Sequence, residues 1–260
     1  MGPGSGADGP EWAGGAFLPD WMAMMRIHGF LSFVLFSVTA GSLGASTLLG
    51  QNVPLDEGRF ILFLNDQSAG DESFSIRRSG SGDDAQVIAT AQIQMNLPEG
   101  AIELRPALQA RGPELAISAY QVKVSGSSEE EIYVTLGDRR FHTKVVSARG
   151  EQEREYRAQT GTLLLDRGVA HQFYFLQPLL DRGEGTVPVI IPRQGRQVQL
   201  RLTPTGTESL QIGGQTVQAH RFQLEGGGEE WLLWFDAQGR VLRVEEPGSG
   251  YRAIREAVPG

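Results

Sequence analysis

The sequence predicts an all-β protein built on one large, mainly antiparallel sheet, rolled or shaped as an open barrel, with one short helix. From residue 59 onward, apolar residues recur at every second position, which is typical of strands with one buried and one solvated face. Glycine-rich turns separate these runs, and only one segment has helical spacing. These observations favour a sandwich, barrel or rolled sheet over a parallel sheet crossed by helices.

Three runs show the alternation most clearly. Their apolar faces are Val87, Ala89, Ala91, Ile93 and Met95 in the first, Ile132, Val134 and Leu136 in the second, and Val198, Leu200 and Leu202 in the third. In the third run the solvated face carries Gln197, Gln199 and Arg201. We therefore expect each strand to bury one face and expose the other.

A hairpin is predicted near the C-terminus. Trp231–Phe235 leads into the turn 236–239, and Val241–Val244 leads back. Asp at the start and Gly at the end suit a type I turn followed by a left-handed glycine, Gly239. Both faces of the first strand are apolar, with Trp231, Leu233 and Phe235 on one and Leu232 and Trp234 on the other. We expect both faces to be covered, by protein or by a ligand.

The helix is predicted within residues 168–182. Phe173, Leu176 and Leu180 follow the spacing of one helix face, and Phe175 with Leu179 widens that face. Pro178 lies inside the segment and is expected to kink or end the helix.

Residues 25–50 predict export. Arg26 and His28 precede the uncharged run 29–40, and small residues continue through Ser46, which is the pattern of a secretory signal peptide. The predicted location is the periplasm or the outside of the cell. The alternative is an uncleaved anchor in the inner membrane, because no charge occurs between His28 and Asp56.

The predicted export signal at residues 25–50 separates an N-terminal segment from the rest of the chain. Residues 1–24 are predicted to be a disordered tail or to precede the true start at Met25, and residues 51–58 to be a linker. Residues 59–256 then form a single β domain.

Composition excludes several classes of protein. The chain has no cysteine, which excludes disulfides and the lipid-bearing cysteine of a bacterial lipoprotein. The net charge of -8 argues against nucleic acid as a partner and against a polybasic membrane-surface protein.

No motif indicates catalytic residues, a metal site or a cofactor. His142, His171 and His220 lack a second ligand at metal-binding spacing; His171 is interpreted as a surface or capping residue and His220 as a core-edge residue. The acidic runs 129–131 and 229–230 are interpreted as solvated strand edges rather than paired catalytic carboxylates. No nucleophile elbow, P-loop or zinc-protease motif occurs.

Three stretches resemble a known group of proteins. They are the strand pair that includes Phe60–Leu64, Gly70 and Glu72, the Phe/Leu-rich segment 172–180, and the closing segment 234–255. This layout resembles exported bacterial β-proteins described as domains of unknown function, and the resemblance covers most of residues 59–256. That group is in turn similar to periplasmic β-spiral proteins and lipoprotein-carrier half-barrels. The resemblance implies no catalytic residues.

Three functions remain open at this point. The first is a non-catalytic structural or interaction module of the cell envelope, whose partner is an envelope protein. The alternative is a carrier that holds a lipid or another apolar ligand in a curved sheet, lined by Phe173, Phe175, Trp231 and Trp234. Ordinary core packing also explains these aromatic residues. The second alternative is an enzyme whose active site matches no motif. Contact with a membrane is expected only through the N-terminal segment, if it is not cleaved.

Overall fold

A computed structural model describes residues 52–260, so the predictions for residues 1–50 lie outside the described part of the chain. Fifteen strands form one continuous sheet. The strands are β1 Val53–Leu64, β2 Gln67–Ser79, β3 Gln86–Leu97, β4 Gly100–Arg111, β5 Ala116–Gly126, β6 Glu130–Gly137, β7 Arg140–Ser147, β8 Gly150–Arg157, β9 Leu163–Leu164, β10 Gly185–Ile191, β11 Arg196–Ile212, β12 Gln215–Gly226, β13 Glu229–Phe235, β14 Val241–Glu246 and β15 Tyr251–Arg255.

The sheet has two arms that meet at β1. One arm runs from β1 through β2 to β8, and the other runs from β15 back through β14 to β9. Every neighbouring pair is antiparallel except β9 with β10, which are parallel. The arms meet across the interior, where the Tyr120 hydroxyl of β5 lies 2.8 Å from the Asp166 carboxylate just after β9. The predicted fold class, an open rolled sheet that is mainly antiparallel, is confirmed.

The alternation of apolar and polar residues determines which face of each strand is buried, as predicted. Leu200 and Leu202 are fully buried in the main core, whereas Gln199 and Arg201 on the other face of β11 are exposed. In β3 the predicted apolar face is turned inward, and its polar face is exposed. Leu136 departs from this pattern because it lies at the end of β6, where it is 42% exposed.

The predicted helix is present as ten residues, with a 3-10 helix at His171–Leu176 that continues into the α-helix α1, Gln177–Leu180. All six residues of the 3-10 part are buried inside the roll. Pro178 lies in the first turn of α1, where its missing N–H costs no helical hydrogen bond. None of the helices among residues 52–260 is long and apolar enough to cross a membrane.

The predicted C-terminal hairpin is confirmed by β13 and β14. Gly239 has a φ of +74°, the left-handed conformation that the sequence predicted. The Asp236 carboxylate accepts hydrogen bonds from the backbone N–H groups of Gln238 at 2.9 Å and Arg240 at 2.8 Å, which holds the turn.

The predicted linker is wrong for residues 53–58, because β1 begins at Val53. The physical reason is a buried ion pair: the Arg255 guanidinium lies 2.6 and 2.9 Å from the two carboxylate oxygens of Asp56. The two residues are 199 positions apart, so local sequence patterns could not show that Asp56 belongs to a buried strand.

Candidate functional site

The interior of the roll is filled by the segment 163–180, which we call the inner segment. It contains β9, the 3-10 helix and α1, and most of its side chains are buried. Apart from β9, which pairs with β10 over two residue pairs, it lies outside both arms of the sheet, so its position depends on contacts with the surrounding strands. The main polar contacts involve four buried carboxylates, which lie at three sites.

The first carboxylate is Glu72 of β2, which is fully buried. Its oxygens accept hydrogen bonds from the backbone N–H of Ala170 at 2.7 Å and of His171 at 2.8 Å, and the His171 Nδ1 lies 2.6 Å away. An ionised carboxylate can only accept, so Nδ1 carries the proton in this contact. Glu72 thereby caps the start of the 3-10 helix from a distant strand.

His171 is therefore not a surface residue, which corrects the interpretation from sequence. Its side chain is 1% exposed and its ring stacks on Phe74, with centroids 5.8 Å apart. The sequence missed this arrangement because its partner, Glu72, is 99 residues away. A carboxylate beside an imidazole has the composition of an acid–base dyad, but this pair is enclosed by the core. Its hydrogen bonds at the start of the 3-10 helix support a role in positioning the inner segment. His220 is also corrected, since it is exposed on β12 rather than at the edge of the core.

The second carboxylate is Asp166, inside the inner segment. It accepts a hydrogen bond from the Tyr120 hydroxyl at 2.8 Å and pairs with the Arg193 guanidinium at 3.1 Å. Burial raises the pKa of Tyr120 well above its usual value, and the negative charge of Asp166 adds to this effect. The phenol thus remains a hydrogen-bond donor, and it joins β5 to the inner segment.

The third anchor is Arg167, which lies 3.2 Å from both Glu229 and Glu246. Glu229 is also 2.8 Å from Arg196. The side chains of Glu229 and Glu246 are only 4% and 7% exposed, so their charges require these partners. Glu229 is therefore a buried anchor rather than a solvated strand edge, which corrects the prediction.

An open groove of about 670 Å³ lies beside the inner segment. Four strands and the helix contribute to its apolar walls, namely through Ile117, Phe141, Leu163, Phe175, Leu179 and Val187. Each of these six side chains is buried in the main core, so the walls are rigid continuations of it. A space of this size is in the range of small-molecule binding sites.

The rim of the groove is polar, with one apolar exception. Glu114, Arg182 and Glu184 supply its charged groups, and no histidine lines it. Leu136 also lines the groove, and it is one of three large hydrophobic residues that are exposed among residues 52–260. Apolar walls with few polar groups can bind the apolar part of a ligand and fix its orientation.

The four predicted lining residues occupy different places. Phe175 lines the groove. Phe173 and Trp231 are in the main core, in contact with each other at a centroid distance of 6.0 Å. Trp234 lies in a separate small cluster on the other face of β13. The structure thus brings Phe173, Phe175 and Trp231 to one side of the sheet and Trp234 to the other.

Protein covers the Trp234 face of β13. The indole N–H donates to Glu208 at 2.8 Å, and the guanidinium of Arg243 lies 4.7 Å from the centre of the ring. Leu210 and Ile212, from the far end of β11, complete this cluster. A bulge between Pro204 and Gly206 bends β11, and bulges of this kind re-aim the strand that carries them. Both faces of β13 are covered, as the sequence predicted.

Sequence reasoning missed most of the groove. Phe141, Leu163 and Val187 come from three separate parts of the chain, and no local pattern connects them. Leu136 was recognised only as the last residue of an alternating strand face. A useful signal is its position two residues before the tight turn at Asp138 and Arg139, both with positive φ, because a core side chain has little cover near a strand end. Among residues 52–260, no group of three or more acidic or histidine side chains is placed to hold a metal ion.

Comparison with known proteins places the C-terminal part in context. Residues 138–257, somewhat under half of the chain, match the model of the family DUF6134, a domain of unknown function. The predicted resemblance to a β-protein family of unknown function is confirmed to this extent. No curated protein matches the chain.

Two solved structures resemble the chain. A β-barrel-like protein of the domain of unknown function DUF1849 from Brucella abortus has 9% sequence identity and a TM-score of 0.48, over 80% of this chain and 97% of that one. A DUF1089 family protein from Pseudomonas aeruginosa has 14% identity and a TM-score of 0.40, over 68% of this chain and 90% of that one. Neither description assigns a ligand or a reaction to its protein.

Proposed function

We propose that this protein is a non-catalytic binding protein of the bacterial cell envelope that holds an apolar ligand in its groove. The observation that carries the proposal is the groove of about 670 Å³, which is walled by core side chains and has the exposed Leu136 on its lining. Exposed apolar surface in a concave site is costly in water, and a bound apolar molecule removes that cost.

The chemistry of the groove supports binding more directly than catalysis. Its charged groups, Glu114, Arg182 and Glu184, lie on the rim, whereas its walls are aliphatic and aromatic. The buried carboxylates Glu72 and Asp166 already hold partners inside the roll. A lipid or lipid-like molecule fits this division, with its chain along the apolar walls and its polar end at the rim.

The cell-envelope location rests on residues 25–50, whose composition is that of an export signal. An envelope protein without cysteine depends on its core and on buried ion pairs for stability, and such pairs surround the inner segment. Intact-mass measurement on the native envelope fraction tests this part. We expect an N-terminus between Gly41 and Leu49, and recovery of peptides from residues 1–20 would contradict processing.

The binding proposal is tested by titrating a fluorescent fatty-acid analogue, dansylated undecanoic acid, into the delipidated protein. We expect saturable fluorescence enhancement that Ala116→Trp abolishes or weakens strongly, because Ala116 is an exposed lining residue of the groove and the larger ring takes up part of the space for the ligand. Ala237→Trp is the matched control: it makes the same change at an exposed position in the hairpin turn, outside the groove.

Two results would count against the proposal. Equal binding by Ala116→Trp and Ala237→Trp would mean that the probe binds elsewhere. Absence of binding by the unaltered protein would favour the structural or interaction module, and an envelope pull-down would then be the next measurement.

A further inference from the structure

Within residues 52–260 the rolled sheet stays open between its two terminal strands, and the groove lies at that opening. Strands β8 and β9 are the two ends of the sheet, and the residues between them, 158–162, all line the groove. Elsewhere among residues 52–260, neighbouring strands are joined by backbone ladders, for example over eight residue pairs between β7 and β8. We call the segment 158–162 the flap.

The flap is held mainly by itself. The Thr162 hydroxyl donates to the Gln159 carbonyl at 2.8 Å and accepts from the Gln159 N–H at 3.0 Å, and the Thr162 N–H donates to the same carbonyl at 3.0 Å. Within residues 52–260, its one backbone hydrogen bond to a residue outside it joins the Ala158 N–H to the carbonyl of Arg139, in the turn between β6 and β7, at 3.0 Å. Gly161 has a φ of +75°, and no atom lies within 4 Å of the position that a Cβ would occupy, so the conformational range of glycine is open to the backbone there.

Apart from the continuation of the chain into β9, the contacts of this region with the opposite arm are made by side chains. The Gln197 amide donates to the Arg157 carbonyl at 2.8 Å, and Gln199 and Gln159 meet at 3.5 Å. Arg154 reaches the Gly195 carbonyl at 3.5 Å. All three contacts are exposed to solvent, where water competes for the same groups. Because its contacts are few and exposed to solvent, the flap is the wall of the groove that can be displaced with the least loss of structure.

We infer that the flap is the gate of the groove, and that its displacement from the β11 side admits and releases the apolar ligand. The inference rests on the proposed function and adds the route by which the site is reached. The ladders around the remaining walls and the buried anchors of the inner segment keep the rest of the groove in place while the flap moves.

A reversible cross-link tests the gate. The chain has no cysteine, so Gln159→Cys with Gln199→Cys provides the only two thiols for a cleavable bis-maleimide. Stopped-flow loading of dansylated undecanoic acid is measured before cross-linking, after it, and after cleavage of the linker. We expect cross-linking to slow loading by about ten-fold or more and cleavage to restore the original rate.

The matched control places the same cross-link between two neighbouring strands inside the sheet. Gln92 and Glu103 lie on the adjacent strands β3 and β4, with side chains 3.0 Å apart, and the pair Gln92→Cys with Glu103→Cys should leave loading unchanged. Equal loading rates for the cross-linked and free flap would overturn the gate while leaving the binding proposal intact. If the unaltered protein binds no probe, the proposed function fails and the gate fails with it.

Discussion

Replacing Glu72 with alanine should remove the main tie between β2 and the inner segment. The carboxylate accepts three hydrogen bonds, from two backbone N–H groups and from the His171 ring. Each buried donor left without a partner costs about 1–3 kcal/mol. Since the site can relax in part and such losses are not additive, we expect the free energy of unfolding to fall by about 4 kcal/mol.

Urea unfolding followed by tryptophan fluorescence measures this loss. With a slope of about 2 kcal/mol per molar urea, the unfolding midpoint of Glu72→Ala should fall by about 2 M. Asp71→Ala is the matched control, because Asp71 pairs with Arg59 where both side chains are partly exposed and the expected loss is under about 1 kcal/mol. Similar midpoints for the two variants would refute the view that Glu72 holds the inner segment.

Two further predictions concern the sheet. Leu200→Asp should abolish folding because it places a charge in the core, at a cost of several kcal/mol. Gln199→Asp should be mild because that side chain is exposed. Circular dichroism compares the folding of the two variants, and equal damage would contradict the assigned strand faces. Gly239→Val should lower the melting temperature by roughly 3–6 °C, since a Cβ is strained at a left-handed φ and would also approach the Gln177 side chain at 3.2 Å. Gln238→Val should change the melting temperature much less, and an equal decrease would argue against backbone strain as the cause.

Local patterns in the sequence predicted the strands well. The alternation in β3 and the Asp–Gly turn after β13 depend on near neighbours, and short-range physics determines both. The face of Trp234 was predicted for the same reason: in a strand, residue 234 must point opposite to residues 233 and 235.

The structural features that the sequence did not predict depend on contacts between residues that are far apart in the chain. His171 is buried because Glu72 accepts a hydrogen bond from its Nδ1–H, and Glu229 is buried because Arg167 and Arg196 neutralise it. Without these partners both residues would be expected at the surface, as their chemistry suggests. The pairing of β1 with β15, which joins the two arms, is likewise a long-range event.

The groove follows from the same long-range organisation. It lies where the two arms come together without a shared ladder, so its walls include residues as far apart as Ile117 and Val187. The predicted aromatic residues were chosen by composition, and composition does not distinguish Phe175, which lines the groove, from Phe173, which packs on Trp231.

The most direct test of the binding account is native mass spectrometry of the protein purified from its own cell envelope, with lipid extraction of the same sample. The account predicts an apolar molecule bound at about one per chain, and its absence from the Ala116→Trp variant purified in parallel. A ligand-free native protein, together with no binding when envelope lipids are added back, would contradict the account.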